Sequence, residues 1–213
     1  MTALPASSAA KRRAEAYWFL SSLLAAPPGV EDLRRLAPLA GGFEPGDVAG
    51  EILATLVGEG DLDRLAERLA VEHTRLFGGL QEGYGPPPPW ESLWREGRLM
   101  GETTVAVAEM FVGAGYAPTG EWSPLDHLVE EMRFLASLCN GEHAFIAAGR
   151  DDEAAWAVEQ QRRFLADHIR TWVPNWADVA TREAREPFYR TLVRVIASVL
   201  SQDEGSLAET DPT

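Results

Sequence analysis

Apolar residues return every three or four positions along this chain, and no stretch alternates apolar and polar in the manner of a strand. That periodicity restricts the chain to helices. Leu62, Leu65, Leu69, Leu76 and Phe77 share one face of a helix whose other face carries Asp61, Asp63, Glu67 and Arg68. Gly78 and Gly79 supply a left-handed terminator for it. Pro86 to Pro89 cannot donate backbone hydrogen bonds, so Gly83 to Trp90 are expected to run extended, partly as polyproline. Such a segment makes a stiff wall ending in an aromatic, or a plain connector whose Trp90 and Trp94 fold onto the core. A proline-rich ligand for an SH3-type partner is a third reading.

The same periodicity predicts short helices over Asp32 to Ala40 and Asp47 to Val57, and one long helix from Glu91 to Val112 ending near Gly113 and Gly115. Further helices are expected from Pro124 to about Ala148, from Asp151 to Trp172 with a stop at Pro174, and from Glu186 to Leu200. Tyr17, Leu20, Leu23 and Leu24 fit an amphipathic first helix ending at Pro27-Pro28. The residues SQDEGSLAETDPT at the end are polar and expected to be disordered.

A second dense block begins at Pro124. Ser123 or Asp126 can cap a helix there, Pro124 suits its first turn, and Asp126, Glu130 and Glu131 sit near the positive end of its dipole. His127 and Glu131 share a face, which permits a hydrogen bond, an ion pair or a pair of metal ligands. With one cysteine and four histidines in the whole chain, no ligand set of structural-zinc type is assembled, and no metal is expected. The adjacent acids Glu130-Glu131 and Asp151-Asp152 read as solvated faces. No nucleophile elbow or activated thiolate is evident, so no catalytic group is expected.

The 213 residues, 46% hydrophobic with seven tryptophans, suffice for one core and one domain. Nineteen basic residues face 33 acidic ones, and the formal charge of -14 disfavours nucleic acid and anionic lipid and favours basic partners. Cys139, within an apolar run, reads as a buried structural thiol in a reducing compartment. Lys11-Arg12-Arg13 followed by an apolar run resembles a secretory signal, but Glu15 interrupts the run and Pro27-Pro28 replaces a cleavage site. No stretch approaches the roughly 18 apolar residues of a membrane span, so a cytoplasmic location without stable membrane insertion is expected.

Several of these residues together resemble a known family. Arg75-Leu76-Phe77, Pro88-Pro89-Trp90-Glu91-Ser92, and Asp126-His127-Leu128 running into Glu131-Met132, Phe134-Leu135 and Leu138 resemble the TorD/DmsD family of redox-enzyme maturation chaperones, with its NarJ-type relatives. Tyr17-Trp18-Phe19-Leu20 resembles the family's first helix, and Phe164-Leu165, His168-Ile169, Trp172, Pro174 and Phe188-Tyr189 its closing segment. Residues 11 to 200 are covered. The four-proline run is longer than the family pattern, and Trp90 stands where the family often has tyrosine.

The resemblance implies an all-α, single-domain helical bundle of the TorD-like type. Residues 1–10 would form a flexible N-terminus, 11–202 the chaperone domain and 203–213 a disordered acidic tail. It implies a non-catalytic, cytoplasmic chaperone without a cofactor of its own. Its partner would be the apo catalytic subunit of a molybdoenzyme of the dimethyl-sulfoxide-reductase family, gripped by its twin-arginine signal peptide until the cofactor is inserted. The expected peptide site is one groove formed by Leu76, Phe77, Pro88, Pro89, Trp90, Glu91, Ser92, Pro124, Asp126, His127 and Glu131, with Asp126 facing the peptide's arginines. The expected oligomer is a monomer or a domain-swapped dimer hinged at Gly113 to Ser123. The alternatives are an all-helical nucleotide- or small-ligand-binding regulator and a helical metal-dependent enzyme using His127 and Glu131.

Overall fold

The computed structural model describes residues 6–40, 42, 47–79, 85–118 and 124–208. Ten α-helices account for most of them: α1 (Ala6–Ala25), α2 (Val30–Leu36), α3 (Val48–Leu53), α4 (Leu62–Phe77), α5 (Glu91–Glu96), α6 (Glu102–Gly113), α7 (Leu128–Ala147), α8 (Asp151–Phe164), α9 (Arg170–Glu183) and α10 (Pro187–Ala208). No strand occurs among the described residues; one isolated antiparallel bridge joins Trp90 and His127. The all-α expectation holds.

Local chemistry sets several helix starts. The Asp47 carboxylate accepts the N–H groups of Ala49 and Gly50, and Asp61 accepts that of Arg64 at 3.0 Å, each satisfying amides that a first turn leaves free. At the far end of α4, Gly79 adopts φ 58° and lies so close to Pro88 that a β-carbon there would sit 2.7 Å from its ring. Pro86 and Pro89 are buried, Pro88 is half-buried, and none of the four prolines lies in a helix. Residues 83 and 84 of the expected extended segment lie outside the described residues.

Two compact units divide the chain. The first comprises Met1–Ser22, Trp90–Val173 and Leu200–Thr213; the second comprises Leu23–Pro89 and Pro174–Val199. In the first, α7 and α8 pack most extensively, around the rings of Phe111, Phe134 and Phe164, with centroid separations of 4.7 Å (Phe111 to Phe134) and 4.9 Å (Phe134 to Phe164). In the second, Phe77 meets Tyr189 edge-on at 5.5 Å and Trp176 at 6.4 Å, and the imidazole of His73 bonds the Leu24 carbonyl at 2.9 Å.

Four expectations need correction. The single helix over Glu91 to Val112 is two helices, because Gly97 ends α5 in the left-handed region at φ 71°. Pro174 does not stop a helix. A π-turn at Leu165–Ile169 re-phases the backbone just before the Arg170 carbonyl, the group a proline at 174 leaves without its usual partner, and the buried Trp172 and Trp176 hold α9 together around it. The helix expected from Pro124 begins at Leu128, capped by His127 rather than by Ser123 or Asp126; the Nδ1 of His127 accepts the Val129 N–H at 3.2 Å. Lastly, order extends beyond both expected limits. Residues 6–10 are helical with Ala10 fully buried, and 203–208 continue α10, where Asp203 accepts a 2.7 Å hydrogen bond from the Tyr17 hydroxyl. Residues 1–5 and 209–213 lie outside the described residues, as do residues 119–123 of the expected hinge.

Candidate functional site: a buried acidic cluster beneath a groove

Within the first unit the motif residues Trp90, Glu91, Ser92, Asp126, His127 and Glu131 come together, and all but Trp90 are buried. Trp90 precedes α5, and its indole meets the His127 ring edge-on at 4.8 Å. The Asp126 carbonyl accepts the Glu91 N–H at 2.9 Å. Its carboxylate accepts the Ser92 N–H at 2.7 Å and the Thr104 hydroxyl at 2.9 Å. Asp126 is therefore a helix cap supplied in trans: it satisfies an orphan amide in the first turn of α5 while tying α5 to α6. Glu96 does the same for α6, accepting the Thr103 N–H at 2.7 Å. Asp126 was expected to face a partner's arginine; fully buried, it spends both carboxylate oxygens inside the chain.

Glu91 is the centre of the cluster. Its carboxylate meets His168 Nδ1 at 2.9 Å and forms an ion pair with Arg95 one turn along α5. Glu131 faces it from α7. Burial first, then the Glu91 charge, a hydrogen bond with Glu91 and the Asp126 charge push the Glu131 carboxyl well above its ordinary range. No N–H or O–H among the described residues donates to either Glu131 oxygen. The raised Glu131 carboxyl favours its neutral form, which relieves the repulsion it would otherwise feel from Glu91 and Asp126.

The expectation of solvated acids at Glu130-Glu131 fails, although it holds for Asp151 and Asp152, which are exposed. Both glutamates are fully buried; Glu130 accepts the Tyr116 hydroxyl at 2.6 Å. Burial, then the Glu130 carboxylate, push that phenol up. Neighbours on a helix do point in different directions, but α7 is enclosed on nearly every side, so both directions lead inward. The signal was present: Leu128, Val129, Met132, Phe134, Leu135, Leu138 and Cys139 cover well over half of the helix circumference, leaving only a narrow wet stripe at Ser137, Asn140, Ala144 and Ala147. His168, Thr104 and Tyr116 were not singled out as site residues because their partners lie far off in sequence.

Two members of the cluster border a groove, Arg95 exposed and His168 buried. Arg95 and His168 line a groove of 540 Å³ together with Ala106, Glu109 and Met110 of α6 and Arg163 of α8. Pro124 is buried, and Leu125 half-buried, before the His127 cap.

In the second unit Leu76 and Phe77 are buried at the end of α4. Arg75 beside them grips Glu72 with two hydrogen bonds of 2.8 and 2.9 Å, and Glu72 also accepts the Arg185 N–H at 2.6 Å. Burial opposes the charge on Glu72, yet the guanidinium and the backbone donors outweigh it and hold the carboxyl below its ordinary range. Gly85 lies against the Arg75 carbonyl so closely that a β-carbon would come within 1.8 Å of it, which anchors the approach to Pro86 and Pro89.

Among the described residues no group of histidine, cysteine, aspartate and glutamate could hold a metal ion, and no helix is long and apolar enough to cross a membrane. Cys139 is fully buried and donates to Gln161 at 3.2 Å; burial pushes its thiol up to about 12. It is a structural thiol and not an activated one.

The described residues form an all-helical fold in which most of the motif residues are buried and hydrogen-bonded within the chain. Residues 46–178 match the nitrate reductase delta subunit family, and the chain belongs to it. It is 26% identical to the chaperone protein TorD of Vibrio cholerae over 93% of each chain. It is also 33% identical to the selenate reductase assembly chaperone of Thauera selenatis over 41% of this chain and 43% of that one. The chlorate reductase assembly chaperone of Ideonella dechloratans is 45% identical over 24% and 25%. A solved structure described as a redox enzyme maturation protein, from Archaeoglobus fulgidus, superposes with a TM-score of 0.52 over 89% of this chain and 93% of that one, at 23% identity. The resemblance read from the motifs is borne out. The family's members are chaperones and assembly proteins, and this one is not an enzyme.

Proposed function

We propose that this protein is a cytoplasmic chaperone that binds the apo catalytic subunit of a molybdoenzyme of the dimethyl-sulfoxide-reductase family. It grips the subunit's twin-arginine signal peptide and withholds it from export until cofactor insertion. The reading rests on the named relatives, two of which are assembly chaperones for chlorate and selenate reductases and one of which matches along nearly the whole chain. The single observation that favours the motif residues as the binding apparatus is Glu91. Fully buried, it bonds at once to Arg95 and His168, and both of these line the groove.

In this proposal the residues divide into two kinds. Half-buried Trp90 and Pro88 offer contact area, each in its own unit. Glu91, Ser92, Asp126, His127 and Glu131 act from beneath by fixing the backbone that presents Trp90 and the groove wall. Leu76, Phe77, Pro89 and Pro124, all buried, do the same for the segments they occupy. A charge of -14 suits a basic peptide.

The test is titration of the labelled twin-arginine signal peptide of a reductase subunit encoded beside this gene. Saturable binding is expected, weakened by a twin-lysine peptide and by Trp90→Ala, the latter by about tenfold. Binding no tighter than that of a scrambled peptide would overturn the proposal.

A further inference from the structure

The outward face of α6 is uncovered among the described residues. Thr103, Val107 and Phe111 are the face it buries. On the opposite side Glu102, Val105, Glu109 and Val112 are all exposed, with Val105 at 59% and Val112 at 79%. Their spacing of three, four and three residues sets acid and valine alternately along one helical ridge of about 15 Å. Water is a poor setting for these valines, and a β-branched residue is a poor helix former, so neither stability nor solubility accounts for them. Upstream, Leu99 and Met100 are exposed at 43% and 68%, and Met100 adopts φ 60°, a left-handed conformation that costs about 1 kcal/mol or more in a residue other than glycine. Leu99, Met100, Val105 and Val112 thus bring four large exposed apolar side chains into one short stretch of sequence.

Charge selects the occupant. Glu102 and Glu109 form no ion pair among the described residues. A second copy laid on this ridge would set carboxylates against carboxylates or against valines, and an anionic lipid surface would be repelled by the net charge of -14. We infer that the outer ridge of α6 docks a basic amphipathic helix of the client, apolar residues at three- and four-residue spacing seating on Val105 and Val112 and arginines or lysines over Glu102 and Glu109. Glu109 also borders the groove, but Arg95 and Arg163 line that groove, so the basic helix would keep to the outer ridge, where acids and valines face it. The inference rests on the reading that this chain holds a client polypeptide, but the ridge is a site separate from the buried motif cluster.

The probe is a fluorescent amphipathic peptide of about four turns, leucines on one face flanked by arginines, and its twin with glutamates in their place. Anisotropy titrations use the full chain. Wild type should prefer the basic probe; Glu102→Lys with Glu109→Lys should reverse that preference, a change of about fivefold or more in the ratio of affinities. Val105→Ser with Val112→Ser should weaken the basic probe by about tenfold. Asp151→Lys with Asp152→Lys makes the same net-charge change in the first turn of α8 and should leave the preference unchanged. Circular dichroism checks that each variant is folded. An equal shift in the α8 control, no response to the valine changes, or no binding of the basic probe would each overturn the ridge assignment. Signal-peptide titration on the same variants separates the two claims: intact peptide binding with a failed ridge overturns this inference alone, and loss of peptide binding in wild type overturns the client reading beneath it.

Discussion

Glu72 and Glu131 are both buried acids on long helices, and both belong to stretches rich in family motifs, yet their surroundings differ in kind. Glu72 receives two bonds from the Arg75 guanidinium and one from the Arg185 amide, and its carboxyl is held below its ordinary 4.5. Glu131 faces another carboxyl, Glu91, near a third, Asp126, and its own is driven well above 4.5. The first arrangement is a closed ion pair that locks the end of α4. The second holds more acid than base: Arg95 and His168 bond Glu91, and Glu131 is left against a carboxyl. A closed pair is what a fold uses to hold itself together. A crowded acidic cluster under a groove costs stability, and such costs are characteristic of sites kept for something other than folding.

The largest effect that would break this contrast is expected at Arg75. Arg75→Met leaves Glu72 buried without its main partner and should destabilise the protein by about 3–5 kcal/mol in denaturant unfolding. A loss below 1 kcal/mol would show that the pair is not the lock described.

The next test is pH. A carboxyl lowered in the folded state contributes stability that is present above 4.5 and fades as pH falls through its folded value; this is Glu72. A carboxyl raised in the folded state contributes stability below 4.5 that is lost as pH rises toward its folded value; this is Glu131. Glu131→Gln keeps the shape and removes the titration, so at pH 8 it should be more stable than wild type by roughly 1 kcal/mol or more, with little difference near pH 4. Parallel curves for the two proteins across pH 4 to 8 would refute the raised Glu131 carboxyl.

Asp126→Asn should cost about 1 kcal/mol, because one of the two bonds to Ser92 and Thr104 must be remade by an amide. Affinity for a signal peptide, corrected for the folded fraction, should not change; a tenfold loss would restore Asp126 to direct contact. The smallest effect is a rate. Cys139, with its thiol at about 12, should resist iodoacetamide at pH 7 until the protein is unfolded, and labelling of the native state within minutes would contradict its burial.

Sequence periodicity was a good guide wherever a helix has one wet face. The stripe of α4, the caps at Asp47 and Asp61 and the glycine terminator at Gly79 are all local effects, decided within a few residues. It failed in three ways. Gly97 breaks what reads as a single helix, because one left-handed glycine outweighs the propensity around it. Pro174 fails to break one, because buried tryptophans hold α9 around it. The acids Glu130 and Glu131 were read as solvated because charge is normally a surface signal. Their burial depends on Tyr116 and Glu91, and no spacing rule joins residue 131 to residue 91.

What the sequence by itself determined is the class: helices throughout, an acidic body of net charge -14, a lone inert thiol and a set of motifs that name the family. These follow from periodicity, composition and residue identity, which are properties of short segments and of sums. What only the tertiary structure decided is the use of the motif residues. Asp126 caps a helix it does not belong to, Glu131 is packed against the carboxyl of Glu91, and Arg95 and His168 carry that cluster to a groove. The reason is distance: a hydrogen bond or a carboxyl pair is decided within about 3 Å in space, and the chain brings such partners together only when distant helices pack.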